Sequence, residues 1–187
     1  MWHLKGASHS DESRRLNSSE VEQAWKILSL VTEWLRHAEA KLGVILGFVG
    51  VSAGVLFNLV GKYEDGHWLF ITAAAVSGVA ALVAGLAALL GLLPIVRLKR
   101  EARKAEPTIN PLYFEDISSE ISDGASYLTA FSELVVNSDD LVRHIGTQVF
   151  ANARVASRKY RYAQIAMWGL CVDLVALGGA GGIAALG

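Results

Sequence analysis

The chain has 187 residues, 52% of them hydrophobic and only three proline, with 17 Lys and Arg against 18 Asp and Glu. That composition and a positive mean hydropathy exclude an ordinary soluble domain, and the balanced charge gives no ground for a nucleic-acid partner. A single cysteine, Cys171, excludes both a disulfide framework and a cysteine metal site.

Residues 1–18 mix Ser, His, Asp and Arg without periodicity and are expected to be disordered. They lack the apolar stretch of a signal peptide. Ser19 and Glu22 have capping-box spacing, and Val21, Trp25, Leu28, Val31, Leu35, Ala38 and Leu42 then recur every three or four residues. This predicts an amphipathic helix over 19–41 that continues unbroken into an apolar run at 42–60. Residues 61–67 form a short turn, and a second apolar run follows at 68–96, with Pro94 near its end.

A polar region occupies 97–161. It opens on Arg97, Lys99, Arg100, Arg103 and Lys104, and Pro107 and Pro111 then forbid a regular helix. Ile117, Ile121, Ala125, Leu128, Phe131 and Val135 describe one short amphipathic helix ending at Asn137. Ser138 is expected to cap the next, whose stripe of Leu141, Ile145, Val149, Ala153, Ala156 and Tyr160 leads into a third apolar run at 162–187. Each run reaches the roughly 20 residues that a helix needs to cross about 30 Å of hydrocarbon. The fold class is therefore an all-α membrane protein. Three transmembrane helices carry a cytosolic helical bundle made of helix extensions and one short helix.

Basic residues flank the runs on one side: Arg36 and Lys41, the 97–104 cluster, and Arg154, Arg158, Lys159 and Arg161. The 61–67 turn holds one Lys against two acids. The positive-inside rule places the N-terminus and the middle region in the cytoplasm and the C-terminus outside, in a bacterial inner membrane. Between Lys104 and Arg143 only acids occur, Glu115, Asp116, Glu120, Asp123, Glu133, Asp139 and Asp140 among them, so an acidic tip should stand away from a basic base.

Gly43, Gly47, Gly50 and Gly54 share one face of the first run, and Ala74, Gly78, Ala81, Gly85 and Ala88 are similarly spaced on the second. Such faces let helices approach closely, within one chain or in a homo-oligomer. Asp173 is the ionisable residue deep in a span. A mid-bilayer carboxylate costs about 2.5 to 3.5 kcal/mol on insertion scales, so it needs a partner. Counting 1.5 Å per residue puts Ser52 and Ser77 at a similar depth, and the three are candidates for a structural hydrogen-bonded group or a gating element.

Three segments together resemble the transmembrane effector family of Pycsar, a bacterial antiphage system that signals with cyclic pyrimidine nucleotides. They are Trp34-Leu35-Arg36-His37-Ala38-Glu39-Ala40-Lys41, with Glu39 where the family usually has Asp; Asn110-Pro111-Leu112-Tyr113-Phe114-Glu115-Asp116-Ile117; and the stretch from Gln148 to Arg161. The resemblance covers residues from about 20 to 187. It implies an effector that answers cyclic UMP or cyclic CMP and impairs the membrane to stop growth.

A cyclic nucleotide brings a phosphate charge, a ribose and a flat base, so its site needs Arg or Lys, polar groups and an aromatic ring. Arg143, Gln148, Asn152, Arg154 and Arg158 supply the first two, and Tyr113 and Phe114 could stack a base. Lys159 and Arg161 are expected to meet lipid headgroups. His144 has no companion at metal spacing and is expected to be solvated. No phosphate-cradling glycine loop and no nucleophile–base pair suggests catalysis, and no cofactor is implied. Two other readings remain: a membrane scaffold or adaptor docking a protein on the acidic tip, and a constitutive channel.

Overall fold

The computed structural model describes residues 4–63, 67–93 and 110–186, with side chains throughout except at 4–17, 114 and 115. Among the described residues lie five helices and no strand: α1 (Leu4–Lys62), α2 (Trp68–Leu92), α3 (Phe114–Glu120), α4 (Gly124–Val136) and α5 (Ser138–Leu186). The all-α class holds, and α1, α2 and α5 are long and apolar enough to cross a membrane. Outside the described residues fall the tip of the 61–67 turn, the last part of the second apolar run, the 97–104 basic cluster and Pro107.

The elements differ from the sequence pattern in three places. The first helix begins at Leu4 rather than near Ser19; residues 4–18 contain no proline, and extending an existing helix costs far less than nucleating one. The expected helix through 117–135 is two, because Ile121 is extended and the Asp123 carboxylate accepts hydrogen bonds from the Ala125 and Ser126 N–H groups, both at 2.9 Å. That cap starts α4 afresh at Gly124. Asn137, not Ser138, caps α5: its Oδ1 accepts from the Asp140 N–H at 3.4 Å and its carbonyl accepts the first helical bond, from the Leu141 N–H.

The chain forms two compact units, and α1 and α5 each contribute to both. The first unit takes the described parts of Met1–Trp34 and Ile95–Val155. Leu134 of α4 and Leu141 and Ile145 of α5 are its buried centre, with Val21, Ala24 and Leu28 of α1, Leu112 and Val149 packed around them. Leu128, Phe131 and Val135, expected to face this core, are exposed. The break at 121–123 explains the difference. A stripe drawn through 117–135 assumes one unbroken helix, whereas α4 is free to turn about its own axis and seats Leu134 instead.

The second unit takes Leu35–Pro94 and Ala156–Gly187. Its buried positions repeat every seven residues: Ala38, Ile45 and Ser52 on α1, Phe70, Ser77, Ala84 and Gly91 on α2, and Lys159, Ala166, Asp173 and Ala180 on α5. A seven-residue period keeps one seam of each helix facing its neighbours. The antiparallel α1–α2 pair is read from close approaches of Gly91 to Leu42, Gly85 to Val49 and Gly78 to Leu56. Gly169 of α5 brings backbone against backbone, since a Cβ there would lie 3.1 Å from the Ala84 nitrogen and 3.2 Å from the Ala80 oxygen. Lipid tails give apolar helices no hydrophobic reason to associate, so such close packing is what holds spans together.

Candidate functional site

Two polar layers interrupt the apolar seam of the second unit. At the first, Lys159 Nζ donates to Glu39 Oε1 at 2.5 Å; the Lys159 side chain is 7% exposed and the Glu39 side chain 46%. One residue along α5, the Tyr160 ring lies 5.4 Å beneath the Lys41 ammonium. The expectation that Lys159 meets headgroups is therefore corrected. It belongs to the row Ala156, Lys159, Ala163, Ala166, Leu170 and Asp173, all buried, and its charge is answered across the seam by Glu39. A flanking Lys reads as lipid-facing only until the helix face it occupies is known. The 3-4-3-4-3 spacing of that row was the available signal.

The second layer is the carboxyl of Asp173, fully buried on α5. Ser77 Oγ of α2 donates to its Oδ1 at 2.6 Å, and Ser52 Oγ of α1 donates to its Oδ2. Each helix of the seam supplies one member, and both carboxyl oxygens are bonded. A polar group inside a membrane bundle is tolerated when it is satisfied in this way, and interhelical hydrogen bonds of this kind contribute about 0.6 to 1.7 kcal/mol each. From Glu39 to Ser52 and from Lys159 to Asp173 the helices climb thirteen and fourteen residues, about 20 Å in each case.

The glycine faces divide. Gly78 and Gly85 pack against Leu56 and Val49 of α1, whereas nothing lies within 4 Å of a Cβ built on Gly43, Gly47, Gly50 or Gly54. The first pair closes the bundle within the chain, and the second face is open. Cys171 is free and exposed on α5.

In the first unit, Arg143 and Arg154 are exposed while Gln148 and Asn152 are half-buried. Successive steps of about 100° put the two arginines within roughly 20° of each other on α5 and the two amides about 120° to 180° away from them. One chain thus presents the arginines and the amides on different faces of the helix. Arg143 lies 3.6 Å from the Asp140 carboxylate, and the Arg154 guanidinium stacks 5.8 Å from the Phe150 ring centre. Arg158 falls in the second unit, its guanidinium 5.5 Å over the Tyr162 ring. Tyr113 is half-buried at the start of α3, and the Phe114 side chain lies outside the described residues.

Two expectations for this unit are corrected. His144 is buried, not solvated, with Nδ1 2.8 Å from the Asp140 carbonyl, because it follows the core residue Leu141 by three positions and so shares its helix face. Asp116 does not belong to the acidic surface. It is 6% exposed, and its Oδ2 accepts from the Asn110 N–H at 3.0 Å while Oδ1 is buried without a partner among the described residues. Asn110 is itself fixed by a tight turn, its Oδ1 accepting from the Leu112 N–H and its carbonyl from the Tyr113 N–H. A buried acceptor left unsatisfied costs about 1 to 3 kcal/mol, and more when charged. Glu120, Asp123, Glu133 and Asp139 do remain on the surface. The Asp123 carboxyl is held below the usual carboxylate range, first by the Ser126 N–H and next by the Ser126 hydroxyl. No group of His, Cys, Asp and Glu among the described residues is arranged to hold a metal.

Three apolar helices tied by buried polar layers, two of them continuing into a second helical unit, define an all-α protein built to span a membrane. Residues 23–186 match the family model described as PycTM, the Pycsar effector protein domain. The chain belongs to the Pycsar effector family, whose members are transmembrane effectors of bacterial antiphage defence. It is 38% identical over 166 residues to the Pycsar effector protein PtPycTM of Propioniciclava tarda, covering 86% of this chain and 80% of that protein. No solved structure matches. The first and third of the family-like segments meet in this fold, through Glu39 with Lys159 and Lys41 with Tyr160.

Proposed function

We propose that the protein senses a cyclic pyrimidine nucleotide, cyclic UMP or cyclic CMP, in the cytoplasm and responds by impairing the integrity of the bacterial inner membrane. One observation carries this reading: α1 and α5 each run without a break from the first unit, which holds most of the ligand-binding candidates, into the unit that holds the spans. A ligand that binds one arrangement of these helices more tightly than another shifts the population of both units at once. Membership of the Pycsar effector family supplies the class of signal. The charge asymmetry supplies the orientation, with the N-terminus and middle region inside and the C-terminus outside.

Arg143, Arg154 and Arg158 are the phosphate-binding candidates, Gln148 and Asn152 meet polar edges, and Tyr113 and Phe114 offer stacking surfaces. Because the arginines and the amides lie on different faces of α5, a pocket that uses both is completed by a second chain. The open face at Gly43, Gly47, Gly50 and Gly54 suits such a homo-oligomer. Asp173 with Ser52 and Ser77 is the group through which the spans change state. The test is calorimetry on the full-length protein with cyclic UMP and cyclic CMP, followed by dye leakage from liposomes containing it. Binding in the micromolar range or tighter and nucleotide-dependent leakage are expected, and silence in both assays overturns the reading.

A second reading, a membrane adaptor that docks a protein, is favoured by the exposed apolar face of α4, Leu128, Phe131 and Val135, set among exposed acids. It predicts a stable partner recovered by affinity purification without added nucleotide, and no leakage.

A further inference from the structure

Among the described residues, Lys41, Tyr160 and Arg161 make a cationic group with no acid to answer it. The Lys41 ammonium lies 5.4 Å from the centre of the Tyr160 ring, which attracts a cation but leaves its charge uncompensated, and Arg161 follows Tyr160 on α5. All three are exposed. Glu39 is taken by Lys159, and neither α1 from Ala40 to Lys62 nor α5 from Leu141 to Val172 contains another acid. Depth says what such a group meets. Ser52, bonded to the buried Asp173 carboxyl, has Lys41 eleven residues before it and Lys62 ten after it, about 17 Å and 15 Å of helix, so it stands midway along the span. Arg161 precedes Asp173 by twelve residues, about 18 Å. The hydrocarbon ends about 15 Å from the midplane and the headgroups reach to about 20 Å, which puts Lys41 and Arg161 together in the headgroup layer. Seven residues deeper on the same faces come Phe48, Met167 and Trp168, all exposed. Charge thus stands at phosphate height and bare apolar surface at acyl-chain height, on the two helices that Lys41 and Tyr160 join.

Resting on the membrane orientation given above, we propose that Lys41, Tyr160 and Arg161 bind the phosphate of an anionic phospholipid in the cytoplasmic leaflet, with an acyl chain lying along Phe48, Met167 and Trp168. Lys41 and Arg161 supply charge-assisted hydrogen bonds to the phosphate oxygens, and the Tyr160 hydroxyl donates between them. A zwitterionic headgroup carries a cation of its own, which the same pair repels, so the site selects lipids of net negative charge. Each basic residue at the membrane surface favours such a lipid by about fivefold. The lipid ties α1 to α5 beside the Glu39–Lys159 pair. The two helices that pass between the units are thereby joined through the bilayer as well as through their own side chains.

The experiment is native mass spectrometry of the full-length protein released from nanodiscs of equal phosphatidylglycerol and phosphatidylcholine. The wild type should retain phosphatidylglycerol about 10-fold or more over phosphatidylcholine, and the double variant Lys41→Gln with Arg161→Gln should cut that preference to about 3-fold or less. Lys26→Gln, which removes a cation already paired with Glu22 in the first unit, should leave the preference unchanged. Equal retention of the two lipids by the wild type overturns the proposal without any variant. So does an undiminished preference in a double variant whose thermal unfolding matches the wild type. Millimolar inorganic phosphate, cyclic UMP or cyclic CMP should not displace the lipid; displacement would mark a site for free phosphates and overturn the proposal as well. A protein that binds neither nucleotide would still show the lipid preference, so this inference and the nucleotide-sensing reading fail separately.

Discussion

The two units solve the same problem, packing helices that share α1 and α5, with opposite materials. The second is built from alanine and glycine. Its backbones approach to near contact at Gly169, the Leu42 and Tyr162 side chains close on Gly91, and its buried carboxyl has a bond on each oxygen. The first rests on a few large aliphatics around Ile145, leaves one oxygen of a buried carboxyl unpaired among the described residues, and exposes Leu128, Phe131 and Val135. A seam of small side chains tolerates almost no change in spacing, whereas a sparse core of a few aliphatics has more room to shift. The contrast supports the proposed division, with recognition in the first unit and the response in the closely fitted second.

The comparison breaks most sharply at Gly169. A valine there forces its Cβ against the Ala84 and Ala80 backbone, which has no flexible end to yield, and the expected loss is about 3 kcal/mol or more of bundle stability, read by thermal unfolding in detergent. Next comes Glu39→Ala, which strands the Lys159 ammonium among alanines. Removing one partner of a buried pair costs about 3 to 5 kcal/mol, and the half-exposed carboxylate brings the expected loss to about 2. Glu39→Asp, which restores the acid usual in the family-like segment, should stay within about 1 kcal/mol of the parent.

Asp173→Ala removes two interhelical hydrogen bonds and should destabilise by about 1 to 3 kcal/mol in the same assay, while abolishing nucleotide-triggered leakage. A variant that unfolds, binds and leaks as the parent does would leave Asp173 a spacer. The smallest effect belongs to the first unit and sharpens the contrast by pH. The Asp123 carboxyl is held below its ordinary value in the folded protein, so its capping contribution is complete above about pH 4, the unperturbed range. It is lost as pH falls through the lower folded value. Asp123→Ala should slightly reduce helix content at neutral pH and flatten the acid limb of a circular dichroism titration.

Much of the second unit was legible in the sequence, because membrane thickness turns residue counting into depth. Counting alone put Ser52, Ser77 and Asp173 at one level, and in the structure both hydroxyls bond that carboxyl. What counting misses is which neighbour a face meets. Lys159 looked lipid-facing because its partner, Glu39, lies 120 residues away in the chain. In the first unit even the face was hidden, since the stripe through Leu128, Phe131 and Val135 depended on a helix that Asp123 interrupts. Asp116 read as one acid among many, and only its burial set it apart.

The matched climb of α1 and α5 has a mechanical meaning. Two marks about 20 Å apart, Glu39 against Lys159 and Ser52 against Asp173, read nearly the same offset of 120 and 121 residues, so the helices are parallel and engaged like a rule against its scale. Sliding one past the other by a single turn, about 5.4 Å, would undo both marks together, parting Lys159 from Glu39 and Asp173 from Ser52. Small displacements are thereby resisted while a full step is all or nothing. If the protein impairs the membrane as proposed, a response governed by this pair would come in discrete steps rather than grow smoothly with signal.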